Sequence, residues 1–309
     1  MVKIAVAGGS QGLGSALVQG LESHGSHEVR ILSRKALDGD ARYLAVDYSS
    51  IEELQTVLES NNIHTVISAL SMENGGGQSQ MNLIEAAERS KSTRRFMPSE
   101  FGIVHIAALP SCRWKLKASE RLANSLLEYT LFSNGLFLDY LTSPLVSTPL
   151  VYSLPVFIDL ENNFAALPGD GNATISMAHT IDISRYVAAI QDLPKWETHY
   201  HLIGDRLSLN DAVRIAEEIK GTTFERHHDS EEELLKNRCI PLPIYNSLLP
   251  AGMDWSYMIG MIAATGVRVI DREMDLDTGL AVNRLFPDMQ RHTVRDAVQM
   301  WNEASGKKK

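Results

Sequence analysis

Gly8-Gly9-Ser10-Gln11-Gly12-Leu13-Gly14 is the stretch that decides the fold of this chain. The run 2–7 before it contains two valines and an isoleucine, which favours a buried first strand. The run 16–21 after it carries apolar residues at helical spacing. A strand, a glycine-rich turn and a helix in this order are typical of a dinucleotide-binding α/β unit. All seven residues of the turn are therefore candidates for binding a dinucleotide pyrophosphate.

The glycines of this turn have distinct physical tasks. One allows the tight turn, one lets the backbone approach the pyrophosphate, and one lets the helix pack closely on the strand. The N-terminus of the following helix adds free N–H groups and a partial positive charge, and both favour phosphate.

The end of the second predicted strand indicates which dinucleotide is bound. An NAD site usually has an acidic residue here for the ribose 2′-hydroxyl, but this chain has Ser33, Arg34 and Lys35 and no carboxylate before Asp38. A guanidinium and an ammonium suit a 2′-phosphate, so the sequence predicts NADPH/NADP as the cofactor. The pair Asp47-Tyr48 after the third strand is placed either to contact the adenine or to form a helix N-terminal turn.

Composition excludes several classes of protein. The chain has 309 residues, of which 44% are hydrophobic, so a large core is feasible. No apolar run is long enough for a membrane span or a signal peptide. The net charge of -9 and the lack of a basic patch outside Lys307–Lys309 argue against a nucleic-acid partner. Two cysteines, Cys112 and Cys239, argue against a disulfide framework, and we expect a cytoplasmic protein.

The order of apolar and amphipathic stretches predicts an α/β fold with a Rossmann-type, doubly wound parallel sheet. We expect residues 1–150 to form the NADP-binding domain and 151–309 a smaller, less regular substrate-binding region, with some segments returning to the sheet. The predicted strands are 28–32, 43–46, 64–70, 95–97 and 129–132. The predicted helices are 50–58, 79–89, 113–127, 209–220, 230–236, 294–303 and parts of 244–264.

Several motifs together resemble one family. The fifth strand ends in Arg95-Phe96-Met97-Pro98-Ser99-Glu100-Phe101-Gly102, Gly169–Ala173 is followed by Asp182-Ile183, and Arg284–Asp288 stands near the end. These motifs resemble the isoflavone-reductase-like and NmrA-like family of atypical short-chain dehydrogenases, across nearly the whole chain. Residues 127–130 and 135–137 are most similar to its fungal members. The resemblance implies an NADP-dependent oxidoreductase.

The chain departs from two related patterns. The family's usual turn is Gly-x-x-Gly-x-x-Gly, whereas here the middle position is Gln11 and the glycine is Gly12. Many other short-chain dehydrogenases catalyse with a Tyr-x-x-x-Lys pair, but no lysine stands four residues after any of the nine tyrosines. The resemblance instead implies a catalytic lysine on the helix after strand five.

Lys115 and Lys117 are the two candidates for this lysine. The family places its lysine about fourteen residues before a strand tyrosine, which is Tyr129 here and selects Lys115. At 100° per residue, Lys115 also lies within the apolar stripe of Trp114, Ala118, Leu122 and Leu126 that we expect to face the sheet, and Lys117 lies outside it. We therefore predict that Lys115 is catalytic and contacts the nicotinamide ribose, with a solvent-exposed head as the alternative.

Other candidates follow the ends of predicted strands. Ala69-Leu70-Ser71 after strand four is expected near the nicotinamide ribose, and by resemblance Pro98, Ser99 and Phe101 lie beside the nicotinamide. Glu100 is expected to be structural. Phe137, Asp139 and Tyr140 are candidate substrate contacts, with core packing as the alternative for the two aromatic residues.

The histidines show no metal-ligand spacing, and we predict no metal site. His199 and His201 on a predicted strand, and His227-His228 in a predicted polar loop, are expected at the surface. The sequence thus predicts an NADPH-dependent reductase that transfers hydride to a carbonyl or activated double bond of a small, aromatic or conjugated secondary metabolite, and a homodimer is possible. Two alternatives stay open: a non-catalytic NADP(H)-sensing regulator, and a redox-neutral isomerase or cyclase.

Overall fold

A computed structural model describes residues 1–102, 110–150, 154–248 and 256–306. Its main element is a sheet of six parallel strands in the order β3-β2-β1-β4-β5-β6. The strands are β1 (Lys3–Ala7), β2 (Glu28–Ser33), β3 (Tyr43–Ala45), β4 (Thr65–Ser68), β5 (Arg95–Met97) and β6 (Glu128–Tyr129). The strand order reverses between β1 and β4, and ligands of such sheets bind where this reversal opens a crevice at the carboxyl ends.

Four helices accompany this sheet, and local sequence explains how they start and stop. They are α1 (Gly12–His24), α2 (Ile51–Ser60), α3 (Gly76–Arg89) and α4 (Pro110–Ala123). Helix α2 begins after Ser50, whose hydroxyl accepts the Glu53 N–H as an N-cap. Helix α1 ends at Gly25, which has the left-handed conformation common after helix C-termini.

The sheet is covered on both faces because residues of β1 alternate in direction. Ile4 and Val6 belong to a core that contains residues of α1, whereas Ala5 and Ala7 belong to a core that contains residues of α2 and α3. This alternation is what period-two side-chain geometry requires of a sheet between two helical layers. The prediction of a doubly wound α/β fold is confirmed.

The chain after β6 forms smaller sheets and further helices. Its strands are β7 (Leu131–Ser133), β8 (Leu136–Phe137), β9 (Ile158–Asp159), β10 (Phe164–Pro168), β11 (Thr174–Ala178), β12 (His199–His201), β13 (Asp205–Ser208) and β14 (Glu225–Asp229). They pair as β14-β10-β9, β13-β11-β8 and β12-β7. Its helices are α5 (Asp139–Thr142), α6 (Thr180–Ala189), α7 (Leu209–Lys220), α8 (Glu231–Leu235), α9 (Tyr245–Leu248), α10 (Ser256–Ile270) and α11 (Val294–Gly306).

Elements from beyond residue 150 pack against residues 1–150, and α6 and β12 are two of them. Helix α6 lies on α1 so closely that a Cβ on Gly20 would be 2.7 Å from the Cβ of Ser184. Strand β12 pairs in parallel with β7, which follows β6 after one residue. The core on the α1 side of the main sheet accordingly contains Ile183, Tyr186 and Val187 of α6.

Several predicted element boundaries were wrong. Helix α4 ends at Ala123, so Leu126 lies beyond it with 98% of its surface exposed and does not face the sheet. Helix α3 begins at Gly76, three residues before the predicted start at 79, directly after the left-handed residues Asn74 and Gly75. His227-His228 lies in β14 rather than in a loop, where pairing with β10 outweighs the polar composition. Residues 249–255 of the predicted helical segment lie outside the described residues.

Candidate functional site

The glycine turn between β1 and α1 has little free space. Gly8 has a φ of +77°, and a Cβ there would be 3.0 Å from the Ala69 carbonyl oxygen at the end of β4. A Cβ on Gly14 would be 2.1 Å from the Gly8 carbonyl oxygen, so α1 could not approach the turn with a larger residue. Both positions require glycine for a steric reason.

The displaced glycine of this turn has a conformational explanation. Gln11 is extended, with φ -158° and ψ 171°, and any residue adopts such a backbone. Gly12 has a φ of +60°, which glycine adopts without steric cost. After Gly8, the second left-handed residue of the turn is thus Gly12, and position 11 does not require glycine.

The start of α1 can receive an anion. The Gln11 side chain makes no capping hydrogen bond to the helix, and the first turn of α1 contains no acidic residue. Backbone N–H groups of the first turn are therefore free of a side-chain cap, and the positive end of the helix dipole adds to them. A cradle too small for a Cβ, next to an uncapped helix N-terminus, fits the pyrophosphate of a dinucleotide.

The basic residues after β2 are exposed. Arg34 and Lys35 both lie at the surface immediately after Ser33, whose hydroxyl accepts the Lys35 N–H at 3.4 Å. An exposed guanidinium and ammonium at this end of the crevice fit a 2′-phosphate.

The pair Asp47-Tyr48 is engaged with the protein itself. The Asp47 carboxylate accepts hydrogen bonds from the N–H and hydroxyl of Ser49 at 2.8 and 2.7 Å, which lowers its pKa. The buried Tyr48 hydroxyl donates to the Leu32 carbonyl at 2.9 Å, and burial raises its pKa. These bonds favour the helix N-terminal turn over the adenine contact for Asp47.

Residues 69–71 lie beside the glycine turn at the end of β4. The Ala69 N–H donates to the Ala7 carbonyl at 2.8 Å, which holds this segment against the end of β1. The Ser71 carbonyl is so near α3 that a Cβ on Gly76 would be 1.8 Å from its oxygen. The segment predicted to pass the nicotinamide ribose is thus held on both sides.

The two lysines of α4 have different environments. Lys115 is partly buried, and its Nζ donates to the carbonyls of Glu100 and Phe101 at 2.6 and 3.2 Å. Lys117 is exposed, with its Nζ 4.6 Å from the centroid of the Trp114 ring. Of the two, Lys115 lies against the turn that follows β5, next to the carboxyl ends of the sheet.

The turn after β5 is held by two buried side-chain amides that sequence reasoning missed. The Ser99 N–H donates to Gln80 Oε1 at 2.8 Å, and the Gly102 N–H donates to Asn134 Oδ1 at 2.8 Å. The only signal in the sequence was that Asn134 precedes a glycine after a predicted strand. Nothing around Gln80 distinguishes it from an ordinary helical residue.

The three predicted substrate residues follow β7 and have different environments. The rings of Phe137 and Tyr140 meet edge to face with centroids 5.8 Å apart. Asp139 is fully buried, and its carboxylate accepts the Thr148 hydroxyl at 2.6 Å and the Thr180 N–H at 2.9 Å. This geometry favours a structural role for Asp139 over the predicted substrate contact, because both of its oxygens are occupied.

Helix α10 reaches back to the loop after β4. The Tyr257 hydroxyl donates to the carboxylate of Glu73, which raises the pKa of Tyr257 to about 12. The contact joins the second half of the chain to the segment beside the cofactor crevice.

The predicted surface histidines differ in burial. His199 is exposed, but His201 is buried, and its Nδ1 lies 3.1 Å from the Asp277 carbonyl oxygen, so its predicted surface position was wrong. In the described parts of the chain, no three His, Cys, Asp or Glu side chains are grouped to hold a metal ion. No helix among these residues is long and apolar enough to cross a membrane.

Curated proteins of fungi and plants are similar to this chain. The oxidoreductase BOA1 of Botryotinia fuckeliana is 40% identical over 231 residues, which are 72% of this chain and 77% of that protein. The oxidoreductase swnN of Metarhizium robertsii is 28% identical over 96% of both chains. The phenylcoumaran benzylic ether reductase PT1 of Pinus taeda is 27% identical over 80% of this chain and 78% of that protein.

Solved structures with the same fold include plant reductases. A ternary complex of leucoanthocyanidin reductase from Vitis vinifera superposes with a TM-score of 0.74 and 19% identity, over 97% of this chain and 99% of that one. A crystal structure of isoflavone reductase gives a TM-score of 0.74 and 18% identity, over 97% of this chain and 99% of that one. No family model matches the chain.

Proposed function

Because the chain belongs to the isoflavone-reductase-like family of NADP-dependent oxidoreductases, we propose that it reduces a small aromatic or conjugated organic molecule with NADPH. The observation that carries the proposal is the position of Lys115, whose Nζ lies against the turn after β5 at the carboxyl ends of the sheet. The names of the similar proteins, which include reductases of plant aromatic compounds, support the substrate class.

Different residues of this chain bind different parts of the cofactor. Gly8, Gly14 and the start of α1 accommodate the pyrophosphate, and Arg34 and Lys35 bind the 2′-phosphate. NADPH, when bound, supplies a hydride from nicotinamide C4 to a carbonyl or an activated double bond.

Lys115 orients the nicotinamide end and assists proton transfer to the reduced product. Its ammonium has three donors, and two of them are used by the Glu100 and Phe101 carbonyls. No third acceptor for this ammonium lies among the described residues, and we assign the third donor to the nicotinamide ribose or to a water that carries the proton. The edge-to-face rings of Phe137 and Tyr140 provide an apolar surface on which an aromatic substrate can pack.

Replacement of each lysine by methionine tests this proposal. Lys115→Met removes the charge but keeps the stem, and we expect it to lower NADPH-dependent turnover by about 100-fold, the scale of general acid–base assistance. Lys117→Met is the matched control on the same helix, and it should keep full turnover because Lys117 is exposed and its ammonium lies over the Trp114 ring. The measurement is loss of NADPH absorbance with a panel of aromatic aldehydes, ketones and enones.

Three results would contradict the proposal. Full turnover by Lys115→Met would exclude its catalytic role. Product formation without net NADPH consumption would indicate the isomerase or cyclase alternative. NADPH binding without turnover of any compound, together with NADP(H)-dependent capture of a protein partner, would indicate the regulator.

A further inference from the structure

The ammonium of Lys115 is held by a backbone turn rather than by a side-chain carboxylate. Its two partners are the consecutive carbonyl groups of Glu100 and Phe101, at 2.6 and 3.2 Å from Nζ. The direction of these carbonyls depends on the conformation of the turn from Pro98 to Gly102, which the Glu100 N–H closes by donating to the Pro98 carbonyl at 2.8 Å. Residues that hold the conformation of this turn therefore also determine the position of the Lys115 ammonium.

Asn134 holds the far end of the turn. Its side chain is fully buried, its Oδ1 accepts the Gly102 N–H at 2.8 Å, and its own N–H donates to the Gly102 carbonyl at 3.0 Å. The Gly135 N–H donates to the same carbonyl at 2.9 Å. Gly102 has a φ of +127°, a backbone conformation that residues with a side chain rarely adopt.

Gln80 holds the near end from a different element. It lies on α3 with 1% of its surface exposed, and its Oε1 accepts the Ser99 N–H at 2.8 Å. Its Nε2 lies 3.6 Å from the sulfur of Met72, in the loop after β4. The two carbonyls that bind Lys115 thus lie between two backbone N–H groups, each of which is held by a buried side-chain amide.

We propose that Gln80 and Asn134 are positioning residues that act through Lys115 on the nicotinamide end of the cofactor. The inference rests on the proposed function, because it assumes that Lys115 contacts that end. A buried N–H that loses its acceptor is costly to leave unpaired, so removal of either amide favours a different turn conformation. The carbonyls then rotate, and the ammonium moves with them.

Equilibrium binding of two ligands tests the proposal without a known substrate. NADPH spans the whole site, whereas adenosine 2′,5′-bisphosphate lacks the nicotinamide and its ribose. Gln80 and Asn134 are called the two clamps of the turn. Gln80→Met fills a similar volume but removes the oxygen that accepts the Ser99 N–H, and Asn134→Ala removes the oxygen that accepts the Gly102 N–H. We expect Lys115→Met and each clamp variant to raise the Kd for NADPH by up to about tenfold, the loss of one charged hydrogen bond. The Kd for adenosine 2′,5′-bisphosphate should stay unchanged.

A double-mutant cycle separates positioning from a merely structural role. If the clamps act through Lys115, Gln80→Met should raise the Kd for NADPH no further in a Lys115→Met background. Gln80→Glu, which keeps an acceptor oxygen for Ser99, should restore most of the affinity. Asn283→Ala is the matched control, because that amide also clamps a backbone N–H and carbonyl, those of Ile203, at 3.1 Å each. It should lower the melting temperature but leave both affinities unchanged.

The outcomes separate failure of the inference from failure of the proposed function. Weaker NADPH binding by Lys115→Met but not by Gln80→Met, or equal losses from Gln80→Met in both backgrounds, would overturn only the positioning role. Unchanged NADPH binding by Lys115→Met would overturn the role of Lys115 and the inference with it. If Asn134→Ala does not fold, the Gln80 variants decide alone.

Discussion

At the scale of single residues, both the proposed preference for NADPH and the proposed contact with the nicotinamide end depend on a few side chains. The sequence could identify Ser33, Arg34 and Lys35, because specificity at the end of β2 depends on residue type at one place in the chain. It also favoured Lys115 over Lys117 from spacing and helical geometry, but it could not show that Lys115 reaches the Glu100 and Phe101 carbonyls. That contact spans fifteen residues and depends on how α4 packs.

Arg34→Ala tests the predicted preference for NADPH. We expect the Kd for NADPH to rise by about tenfold, the scale of one charge-assisted contact to phosphate, while the Kd for NADH stays unchanged because NADH has no 2′-phosphate. Isothermal titration calorimetry with each cofactor measures the two Kd values and hence their ratio. Arg42→Ala is the control, since Arg42 is a surface arginine already paired with Asp40 and Glu22. Equal losses for both cofactors would contradict a 2′-phosphate contact.

Gly14→Ala tests the steric account of the glycine turn. The new Cβ would be 2.1 Å from the Gly8 carbonyl oxygen, so α1 must move away from the turn and the phosphate cradle must distort. We expect NADPH affinity to fall by at least about tenfold, since misplacement by about 1 Å is costly, as measured by titration of the folded variant. Wild-type affinity would show that the turn tolerates a side chain and that the cradle is misassigned.

At the scale of elements, helix starts were predictable where a local cap determines them. Helix α7 has the predicted bounds Leu209–Lys220, because Ser208 caps its start and Gly221 has a left-handed conformation at its end. The end of α4 was not predictable, since the helix stops three residues before Leu126, the last apolar position of the predicted stripe. Leu126 continues the apolar spacing of the helix in the sequence, but in the structure it is exposed and does not pack against the sheet.

The contact between α1 and α6 provides a prediction at this scale. Gly20→Ala would place a Cβ 2.7 Å from both the Cβ and the carbonyl oxygen of Ser184. We expect the free energy of unfolding to fall by about 1–3 kcal/mol, as in other overpacked cores, measured by urea denaturation. Gly260→Ala, also within a helix, has its nearest neighbour 3.9 Å from the new Cβ and should not destabilise the protein. A Gly20→Ala variant of wild-type stability would show that the two helices separate freely.

At the scale of the whole molecule, the two halves of the chain share a core. Residues of α6 and β12 complete the α1 side of the main sheet, so the predicted boundary near residue 150 crosses a continuous apolar cluster. The same burial affects histidines from both halves. Burial lowers the pKa of His27, His64, His179 and His201 below 6.5.

This burial predicts a loss of stability in mild acid. The unfolded chain binds protons at these histidines as the pH falls below 6.5, while the folded chain resists them, so the free energy of unfolding decreases from pH 7 toward pH 5. Urea denaturation across this range measures the slope. His201→Gln removes one of the four groups and should make the slope shallower. The same replacement at His199, an exposed position on the same strand, is the matched control.

The sequence by itself determined what depends on neighbours in the chain: the strand-turn-helix unit at residues 3–24, the basic end of β2 and the family motif after β5. Tertiary structure alone decided what depends on distant partners. It placed the Lys115 ammonium on the Glu100 and Phe101 carbonyls, buried Asp139 against Thr148 and Thr180, and brought Gln80 and Asn134 to opposite ends of one turn. The physical reason is that propensity and spacing act over a few residues, whereas burial and hydrogen-bond partners depend on how the elements pack.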